Sequence, residues 1–536
     1  MFYFGVGKIM EKAALLSVTD KNGLVELAEV LIECGFTLLA SSGTGEYLKE
    51  HNIQTTSIER YTGQSEFLGG RVKTLHPKIH GGILARRNNE KDMLELEQNK
   101  IFPIDVAVVN LYPFSQRVSA GANMDQAVEV IDIGGPAMIR AAAKNFYYVL
   151  PVIDPGDYRE VMEFLRSSSK IEHKQALEFR RRYAVKVFKE LAEYNLNIAE
   201  YISSVTCVEG DKPEAFTFCC SSGNRFSQVG GLILEKAQDL RYGENPHQAA
   251  ALYADKYKSW TQLNGKELSY NNLLDFDATL RIIRSVSGDK PFACIVKHLN
   301  PCGAACSEDC TDALKRAKAS DPRSHFGGII GFNQKVDLKA AKEVRADFAE
   351  IVLAPGYDDE ALNYLQKSKN LRVVQFEPAA GSKYEVRSVE GGYLFQEIDS
   401  GVSSVKEARI VAGDGLSEQE LLDLQFAWNL CAHVRSNAIT VVKDQQLLAA
   451  GAGQMSRIDA ARVALYKAEE HGHDLTGAVA ASDAFFPFPD TIEALAHAGV
   501  KAIIAPGGSK RDDQVIKVAC DLNITLLFSN DRHFRH

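Results

Sequence analysis

Residues 13–45 read AALLSVTDKNGLVELAEVLIECGFTLLASSGTG, in which two short apolar runs flank one amphipathic segment. The runs are AALLSV at 13–18 and FTLLA at 36–40, and between them apolar side chains recur at helical spacing from Leu24 to Ile32. A strand, a helix and a second strand in this order are typical of a parallel sheet covered by helices. The stretch therefore predicts an α/β fold.

The same alternation continues along the chain, with strand-like runs DVAVV at 105–109 and YYVLPV at 147–152. We assign residues 1–155 to one α/β domain with a parallel sheet. The stretch 157–209 contains no Gly or Pro and is rich in residues that favour helices. Residues 156–230 are therefore predicted to form a helical connector and linker.

A second α/β region is predicted over residues 231–536, after the small polar segment CCSSGNRFSQVGG at 219–231. No internal repeat is evident in it. Its late elements are predicted as strands at AVAAS (478–482), KAIIAP (501–506) and ITLLFS (524–529), with helix starts at Asp490-Thr491 and Asp512-Asp513.

The composition is that of an ordinary globular protein, with 45% hydrophobic and 24% charged residues among 536. A net charge of −9 disfavours a non-specific nucleic-acid binder but leaves room for a local basic pocket that binds a small anion. No apolar run approaches the roughly 20 residues that span a bilayer. We therefore expect neither nucleic acid nor a membrane as a partner.

Ten cysteines are scattered along the chain without a compact framework, which indicates reduced thiols and a cytoplasmic protein. Cys302, Cys306 and Cys310 lie four residues apart and could imitate a metal site. Structural zinc sites usually pair ligands at shorter spacing, and no second pair lies nearby. We interpret the three as buried free thiols and expect no catalytic metal.

Polar loops follow the first two predicted strands, and both would lie at the carboxyl edge of a parallel sheet. There, hydroxyls, backbone N–H groups and helix N-termini favour anions, although Ser and Gly also form ordinary turns. A third loop, GGRVKTLHPKIHGG at 69–82, holds five basic or imidazole side chains between two glycine pairs. The alternative is a solvated basic loop, but the flanking glycines favour a backbone shaped around a bound anion.

The second region contains Lys297-His298 directly after a strand-like run and before Asn300-Pro301. Such a pair is often incidental, but the end of a strand before a turn favours an exposed, positioned pair. A zinc deaminase is the rival interpretation, since such enzymes carry H-x-E and P-C-x-x-C. Here Asn300 stands where the Glu is needed, and three residues rather than two separate Cys302 from Cys306. We therefore reject a zinc deaminase.

Six motifs of the first domain occur in an order that resembles a known family: SVTDK, SSGTG, GGRVKTLHP, NLYPF, DIGG and AAAKN. They are similar to the inosine monophosphate (IMP) cyclohydrolase domain, which has a methylglyoxal-synthase-like fold. The resemblance implies that Lys73, Tyr112, Asp132 and Lys144 surround the ring-closing centre. It implies further that the substrate is held by Arg71 and Thr74 and, at its phosphate, by Ser17, Thr19, Lys21, Ser42 and Thr44.

Motifs of the second region resemble the transformylase that acts on aminoimidazole carboxamide ribotide (AICAR); they include RYGENPHQ, NNLLDFDAT, VKHLNPCGAA, DPRSHFGGIIGFN, RSNAITVV and SDAFFPFPD. The family fold is a pair of cytidine-deaminase-like α/β subdomains without the metal. Lys297 and His298 would be the central catalytic pair, with Asn437 near the transferred formyl group. The resemblance also places Arg241, Tyr242 and Arg532 at the ribotide, and Phe485 and Asp490 in the folate pocket.

Together the motifs cover nearly the whole chain, which resembles the bifunctional purine-biosynthesis family of AICAR formyltransferase and IMP cyclohydrolase. The resemblance implies formyl transfer from 10-formyltetrahydrofolate to AICAR, then closure of the formyl product FAICAR to IMP. Family members are homodimers with the transformylase site built across the subunit interface. The sequence leaves open whether a monovalent cation binds. A first domain that only senses a phosphorylated ligand is the alternative, disfavoured because Lys73, Tyr112, Asp132 and Lys144 are all present.

Overall fold

The structure is a computed structural model, which describes residues 12–66, 68–69, 71–168, 170–209, 216–220, 229–254, 259–286, 288–378, 384–399 and 401–536. The chain divides into two compact units, Met1–Ile233 and Leu234–His536. Most of the predicted boundary segment, residues 221–228, lies outside the described residues. No described helix is long and apolar enough to cross a membrane.

The first unit is built on a five-stranded sheet in which every strand is parallel to its neighbours, in the order β3-β2-β1-β4-β5. The strands are β1 (Lys12–Ser17), β2 (Phe36–Ala40), β3 (Thr56–Ser57), β4 (Ile104–Val109) and β5 (Leu150–Val152). Both faces of the sheet are covered by helices, which is why the strands are nearly continuous apolar runs. The predicted parallel α/β fold is confirmed.

Ten helices are described in this unit: α1 (Leu24–Glu33), α2 (Ser42–Glu50), α3 (Ile58–Thr62), α4 (Pro77–Leu84), α5 (Glu90–Gln98), α6 (Phe114–Ser119), α7 (Met124–Glu129), α8 (Gly134–Lys144), α9 (Tyr158–Ser167) and α10 (His173–Ser204). The last two fall in the predicted connector, yet their apolar faces pack into the two cores of the first sheet. A hairpin of β6 (Val205–Glu209) and β7 (Phe216–Cys220) follows them.

The strand predicted at 147–152 is shorter than its apolar sequence indicates. Residues 145–148 form a turn, and the N–H groups of Tyr148 and Val149 donate to the carbonyl of Asn145. Pairing with β4 begins only at Leu150. Tyr147 is exposed and stacks on Phe146, so an aromatic residue is used here at a helix end rather than in the sheet.

The second unit contains a twelve-stranded sheet in the order β10-β15-β14-β13-β11-β12-β20-β19-β21-β22-β23-β18. Its strands are β10 (Trp260–Asn264), β11 (Phe292–Lys297), β12 (Asn300–Cys306), β13 (Ile329–Phe332), β14 (Ile351–Ala354), β15 (Arg372–Phe376), β18 (Arg409–Ala412), β19 (Ile439–Lys443), β20 (Gln446–Gly451), β21 (Val479–Ser482), β22 (Ala502–Pro506) and β23 (Thr525–Ser529). Two separate hairpins join β8 (Glu235–Leu240) to β9 (Ala250–Ala254) and β16 (Tyr384–Val389) to β17 (Gly392–Glu397).

The helices of this unit are α11 (Tyr270–Ser285), α12 (Cys310–Ser320), α13 (Leu338–Val344), α14 (Asp359–Gln366), α15 (Glu418–Cys431), α16 (Arg457–Glu470), α17 (Asp490–His497) and α18 (Asp512–Asp521). The last three strands and the starts of α17 and α18 agree with the sequence prediction to within one residue.

The large sheet contains a structural repeat, although no internal repeat is evident in the sequence. Each half has a helix, an antiparallel hairpin, a second helix, three parallel strands and an antiparallel edge strand. Only short identities survive between the halves, among them Leu-Leu-Asp at 273–275 and 421–423 and Val-Lys at 296–297 and 442–443. Strand pairing and burial constrain the pattern of apolar residues more than their identity, which hides the repeat.

The two halves meet where β12 and β20 pair at Ala305 and Gln446. A single buried cluster lies on one face of the whole sheet and draws residues from both halves, including Phe292 and Phe426, whose rings meet edge to face at 6.0 Å. Separate clusters fill the opposite face of each half. On one face of the sheet, the two halves of the second unit therefore share a single core.

Polar contacts also join the halves beside this seam. Asp321, at the end of α12, accepts from Lys467 Nζ of α16 at 2.9 Å and lies 3.2 Å from His471 Nε2. Burial opposes ionisation of this carboxyl, but hydrogen bonds from Ser324 and Lys467 outweigh it and hold the pKa of Asp321 at about 2. The ion pair therefore contributes to stability at neutral pH.

Candidate active sites

The carboxyl edge of the first sheet brings the predicted anion loops together. The strand order reverses direction between β1 and β4, and ligands of such sheets bind at this point. Asn110, one residue beyond β4, accepts from the N–H groups of Thr19 and Asp20 at 2.5 and 3.2 Å and donates to the Asp20 carbonyl at 2.9 Å. The loop after β1 is thereby tied to the segment that carries Tyr112.

The residues predicted to bind phosphate lie at this edge of the sheet but differ in burial and in their hydrogen bonds. Ser17 ends β1, Thr19 and Lys21 follow it, and Ser42 begins α2. Thr44 is buried, and its hydroxyl accepts from Val18 N at 3.0 Å and donates to Val18 O at 3.2 Å. Thr44 therefore fixes the β1 loop, whereas Thr19 is exposed to solvent.

A carboxylate that the sequence analysis did not single out lies beside Ser42. Glu59 Oε1 accepts from Ser42 Oγ at 2.9 Å. Burial opposes ionisation of Glu59, but hydrogen bonds from its own backbone, Ser42 and Ser57, with the charge of Lys73, lower its pKa. The same Lys73 charge acts on Asp132, whose pKa is nevertheless raised because the carboxyl is buried. The charge of Lys73 thus acts on two carboxylates at this edge, Glu59 and Asp132.

The DIGG motif fixes Asp132 at the start of α8. Asp132 Oδ1 accepts from Gly135 N at 2.9 Å, and its own N–H donates to the Tyr194 hydroxyl of α10 at 2.7 Å. A β-carbon on Gly134 would lie 2.3 Å from Thr74 Oγ1, so the glycine allows the basic loop to reach the helix. The structure therefore brings Thr74, the neighbour of Lys73 in the basic loop, against the DIGG motif that carries Asp132.

Three other residues predicted for this site are Tyr112, Arg71 and Lys144, and of these Lys144 lies far from Asp132. Tyr112 follows Asn110 and is 43% exposed. Arg71 forms an exposed ion pair with Glu129 of α7. Lys144 is the last residue of α8, so about 15 Å of helix axis separates it from the Gly134 end. The structure does not bring Lys144 next to Asp132.

In the second unit, a cleft of about 570 Å³ contains four of the predicted residues. Arg241, Tyr242, Lys297 and His298 all line it, although 55 residues of sequence separate Tyr242 from Lys297. The loop that carries Arg241 and Tyr242 is closed by a hydrogen bond from Gly243 N to Gln248 O at 2.8 Å. The cleft is large enough for a nucleotide-sized ligand.

The cleft has further charged residues that no signal in the sequence singles out, although Asp275 lies within the NNLLDFDAT motif, because they meet only in the fold. Lys266 also lines the cleft, and Arg372 forms an ion pair with Glu350 at 2.6 Å. Asp275 of α11 accepts from the backbone N–H groups of His298 and Leu299. Several cations in one cleft favour an anionic ligand such as a phosphorylated ribotide.

The segment that carries Asn437 is linked to the His298 turn by hydrogen bonds, although Asn437 is not among the described residues that line the cleft. Asn300 Nδ2 donates to His298 O at 2.9 Å, and Asn300 Oδ1 accepts from Arg435 N at 2.9 Å. Two residues on, the Asn437 side chain accepts from Arg457 Nη2 at 2.7 Å. The segment that carries Asn437 is therefore held against the turn that carries His298.

Three predicted residues are not among the described residues that line this cleft. Phe485 is 38% exposed in the loop after β21. Asp490 begins α17, where its Oδ1 accepts from Thr491 N at 2.8 Å. Arg532, in the C-terminal segment, lies over the Phe534 ring at 4.4 Å. These three residues thus lie outside the described lining of the cleft that contains Lys297 and His298.

Comparison with known proteins assigns the family. The sequence profile described as "AICARFT/IMPCHase bienzyme" matches residues 142–467, and that of the "MGS-like domain" matches residues 23–137. The chain belongs to the AICARFT/IMPCHase bienzyme family. The bienzyme family has curated members named "Bifunctional purine biosynthesis protein PurH" that are similar to this chain over 98% of its length and 100% of theirs. Examples are those of Desulfitobacterium hafniense (strain DSM 10664 / DCB-2), 44% identical, Persephonella marina, 42%, and Nostoc punctiforme, 42%.

The cysteines of this bienzyme member are free thiols wherever the structure describes their side chains. Burial raises the pKa of Cys302 to about 12 and those of Cys306 and Cys310 to about 11, so all three are protonated at neutral pH. Within the described residues, no three His, Cys, Asp or Glu side chains are arranged to hold a metal ion.

Proposed function

We propose that this protein transfers a formyl group to AICAR and then closes the product FAICAR to IMP. The observation that carries the proposal is the cleft in which Lys297 and His298 lie with Arg241 and Tyr242, in a chain of the AICARFT/IMPCHase bienzyme family. The full-length relatives named as bifunctional purine biosynthesis proteins support both activities.

In the transfer reaction, the AICAR amine attacks the formyl carbon of 10-formyltetrahydrofolate, and the bond from that carbon to the folate nitrogen breaks. The amine loses one proton and the leaving nitrogen gains one. His298 is exposed at the cleft and is the proposed proton relay. Lys297 Nζ, held 3.0 Å from the Phe326 carbonyl, is the proposed cation that stabilises the developing negative oxygen.

In ring closure, the carboxamide nitrogen attacks the tethered formyl carbon, and water is lost. Because the reaction is intramolecular, positioning supplies much of the acceleration. Asp132, beside Lys73, is the proposed group that orients or deprotonates the amide. Tyr112 and Lys144 are proposed to polarise the formyl oxygen. For Lys144 the proposal rests on the family resemblance alone.

We propose further that two copies of the chain form the working enzyme in the cytoplasm. Phe485, Asp490 and Arg532 are expected at the folate and ribotide, yet none lines the cleft of the single chain. A second copy would bring its own set of these residues to the cleft. Sedimentation of the purified chain as a dimer is the expected result, and a monomer with full transfer activity would contradict it.

The experiment supplies AICAR and 10-formyltetrahydrofolate and follows FAICAR and IMP. The unsubstituted chain should form IMP. His298→Ala should form neither product from AICAR but should still close added FAICAR. Lys144→Ala should form FAICAR and close it slowly. Equal IMP output from all three proteins would refute the assignment of the sites.

A further inference from the structure

The turn that carries His298 has a backbone conformation that its side chains disfavour. His298 and Leu299 close the hairpin between β11 and β12, with φ values of 52° and 65°. Two-residue turns with both residues left-handed favour Asn and Gly, since a β-carbon makes this conformation unfavourable. A contact from outside the turn is therefore needed to hold it.

Asp275 of α11 supplies this contact. Its Oδ1 accepts from Leu299 N at 2.6 Å and its Oδ2 accepts from His298 N at 3.3 Å. Both carboxylate oxygens are thus engaged with the turn, through hydrogen bonds that the negative charge strengthens. We propose that Asp275 is a positioning residue that holds Lys297 and His298 in their productive geometry, an inference that rests on the function proposed above.

The other half of the sheet repeats the arrangement. Asp444 and Gln445 close the hairpin between β19 and β20 with φ values of 52° and 54°. Asp423 of α15 accepts from their N–H groups at 2.9 and 2.7 Å. No histidine lies in this second turn. The structural role that the two aspartates share is therefore to hold a left-handed hairpin turn. This role is independent of catalysis.

The second turn is also remote from the cleft, which makes it a matched control. Gln445 O accepts from Cys306 N at 3.0 Å, so this turn lies at the far end of β12 from His298. Seven residues of strand separate the two ends, about 20 Å. Asp423→Asn should perturb the same kind of turn without moving the proposed catalytic pair.

Replacing Asp275 by asparagine tests the need for the carboxylate, because the side chain keeps nearly the same shape. It keeps one acceptor oxygen, but its NH₂ group faces the second backbone N–H and cannot accept from it. Asp275→Asn should therefore loosen the turn while the chain still folds. A displacement of the pair by about 1 Å should lower kcat for formyl transfer about 10- to 100-fold.

The experiment measures kcat and KM for AICAR in the full chain, at several values from about pH 6 to 9, with ring closure of FAICAR as the check on folding. Asp275→Asn should lower kcat, leave KM for AICAR within about 3-fold and keep the shape of the pH profile. Asp423→Asn should keep kcat within about 2-fold. Both variants should close FAICAR normally.

A second substitution separates positioning from other roles. Glycine adopts the φ of Leu299 without strain, so Leu299→Gly added to Asp275→Asn should recover several-fold of the lost kcat. Unchanged kcat in Asp275→Asn, equal losses in the two Asn variants, or no recovery would overturn the proposal. A changed pH profile would instead make Asp275 a proton acceptor, and a raised KM alone would make it a binding residue; either overturns positioning. His298→Ala with full transfer would overturn the proposed function, whatever Asp275 does.

Discussion

Gly135→Ala should disable ring closure by displacing the Asp132 carboxylate. A β-carbon on Gly135 would lie 2.3 Å from Asp132 Oδ2, whereas ordinary contact begins near 3.4 Å. The carboxylate must therefore move by about 1 Å, and its hydrogen bond from Gly135 N at 2.9 Å is strained or lost. Misplacement of this size costs about 100-fold in rate, which corresponds to about 2.7 kcal/mol in the activation free energy.

The assay supplies FAICAR and follows the formation of the purine ring by its ultraviolet absorbance. Formyl transfer measured on the same preparation is the internal control, because its proposed residues lie in the second unit. Gly81→Ala is the matched variant. Gly81 belongs to the second glycine pair of the basic loop, but in the structure it lies inside helix α4, and its β-carbon would meet Ile101 Cδ1 at 3.6 Å, an ordinary contact. It should close the ring at the unsubstituted rate. A folded Gly135→Ala protein with the same rate would show that the position of Asp132 is immaterial.

Three further predictions concern stability and positioning. Tyr194→Phe removes the acceptor for Asp132 N and should slow ring closure about 10-fold without slowing transfer, as the two product assays would show; equal slowing of both would contradict it. Gly303→Ala places a β-carbon 1.9 Å from a backbone carbonyl of α12 and should destabilise the second unit by about 3 kcal/mol in denaturant, whereas Gly356→Ala meets ordinary contacts and should not. Asp321 has a folded pKa of about 2, below its ordinary 3.8, so its contribution of about 2 kcal/mol is complete above about pH 5 and is lost as the pH falls towards 2. Asp321→Asn should abolish that pH dependence of unfolding, followed by the fluorescence of the two tryptophans, both in the second unit; an unchanged dependence would contradict the assignment.

The sequence predicts those parts of the fold that depend on local pattern. The strand FTLLA and the starts of α17 and α18 agree with the structure because buried strands need apolar runs and helix starts favour acidic residues. The order of motifs likewise predicted that Arg241 and Lys297 share a site. Their approach across the fold could be expected only from the family resemblance.

The sequence does not show which residues far apart along the chain come into contact. Arg372 meets Glu350, and Asp275 reaches the His298 turn, only because strands and a helix place them together. An aspartate in the middle of an amphipathic helix has no local signal for such a role. The repeat within the large sheet is hidden for the same reason, since pairing geometry constrains few identities.

The common core of the large sheet has a consequence for dissection of the enzyme. The strand order suggests that the chain could be cut between β17 and β18 to give two autonomous domains. Phe292 and Phe426 come from opposite sides of such a cut, and each fragment would expose an apolar face to water. We therefore expect the half without Lys297 and His298 to be required for folding of the other half, in addition to carrying Asn437 and the residues expected at the folate.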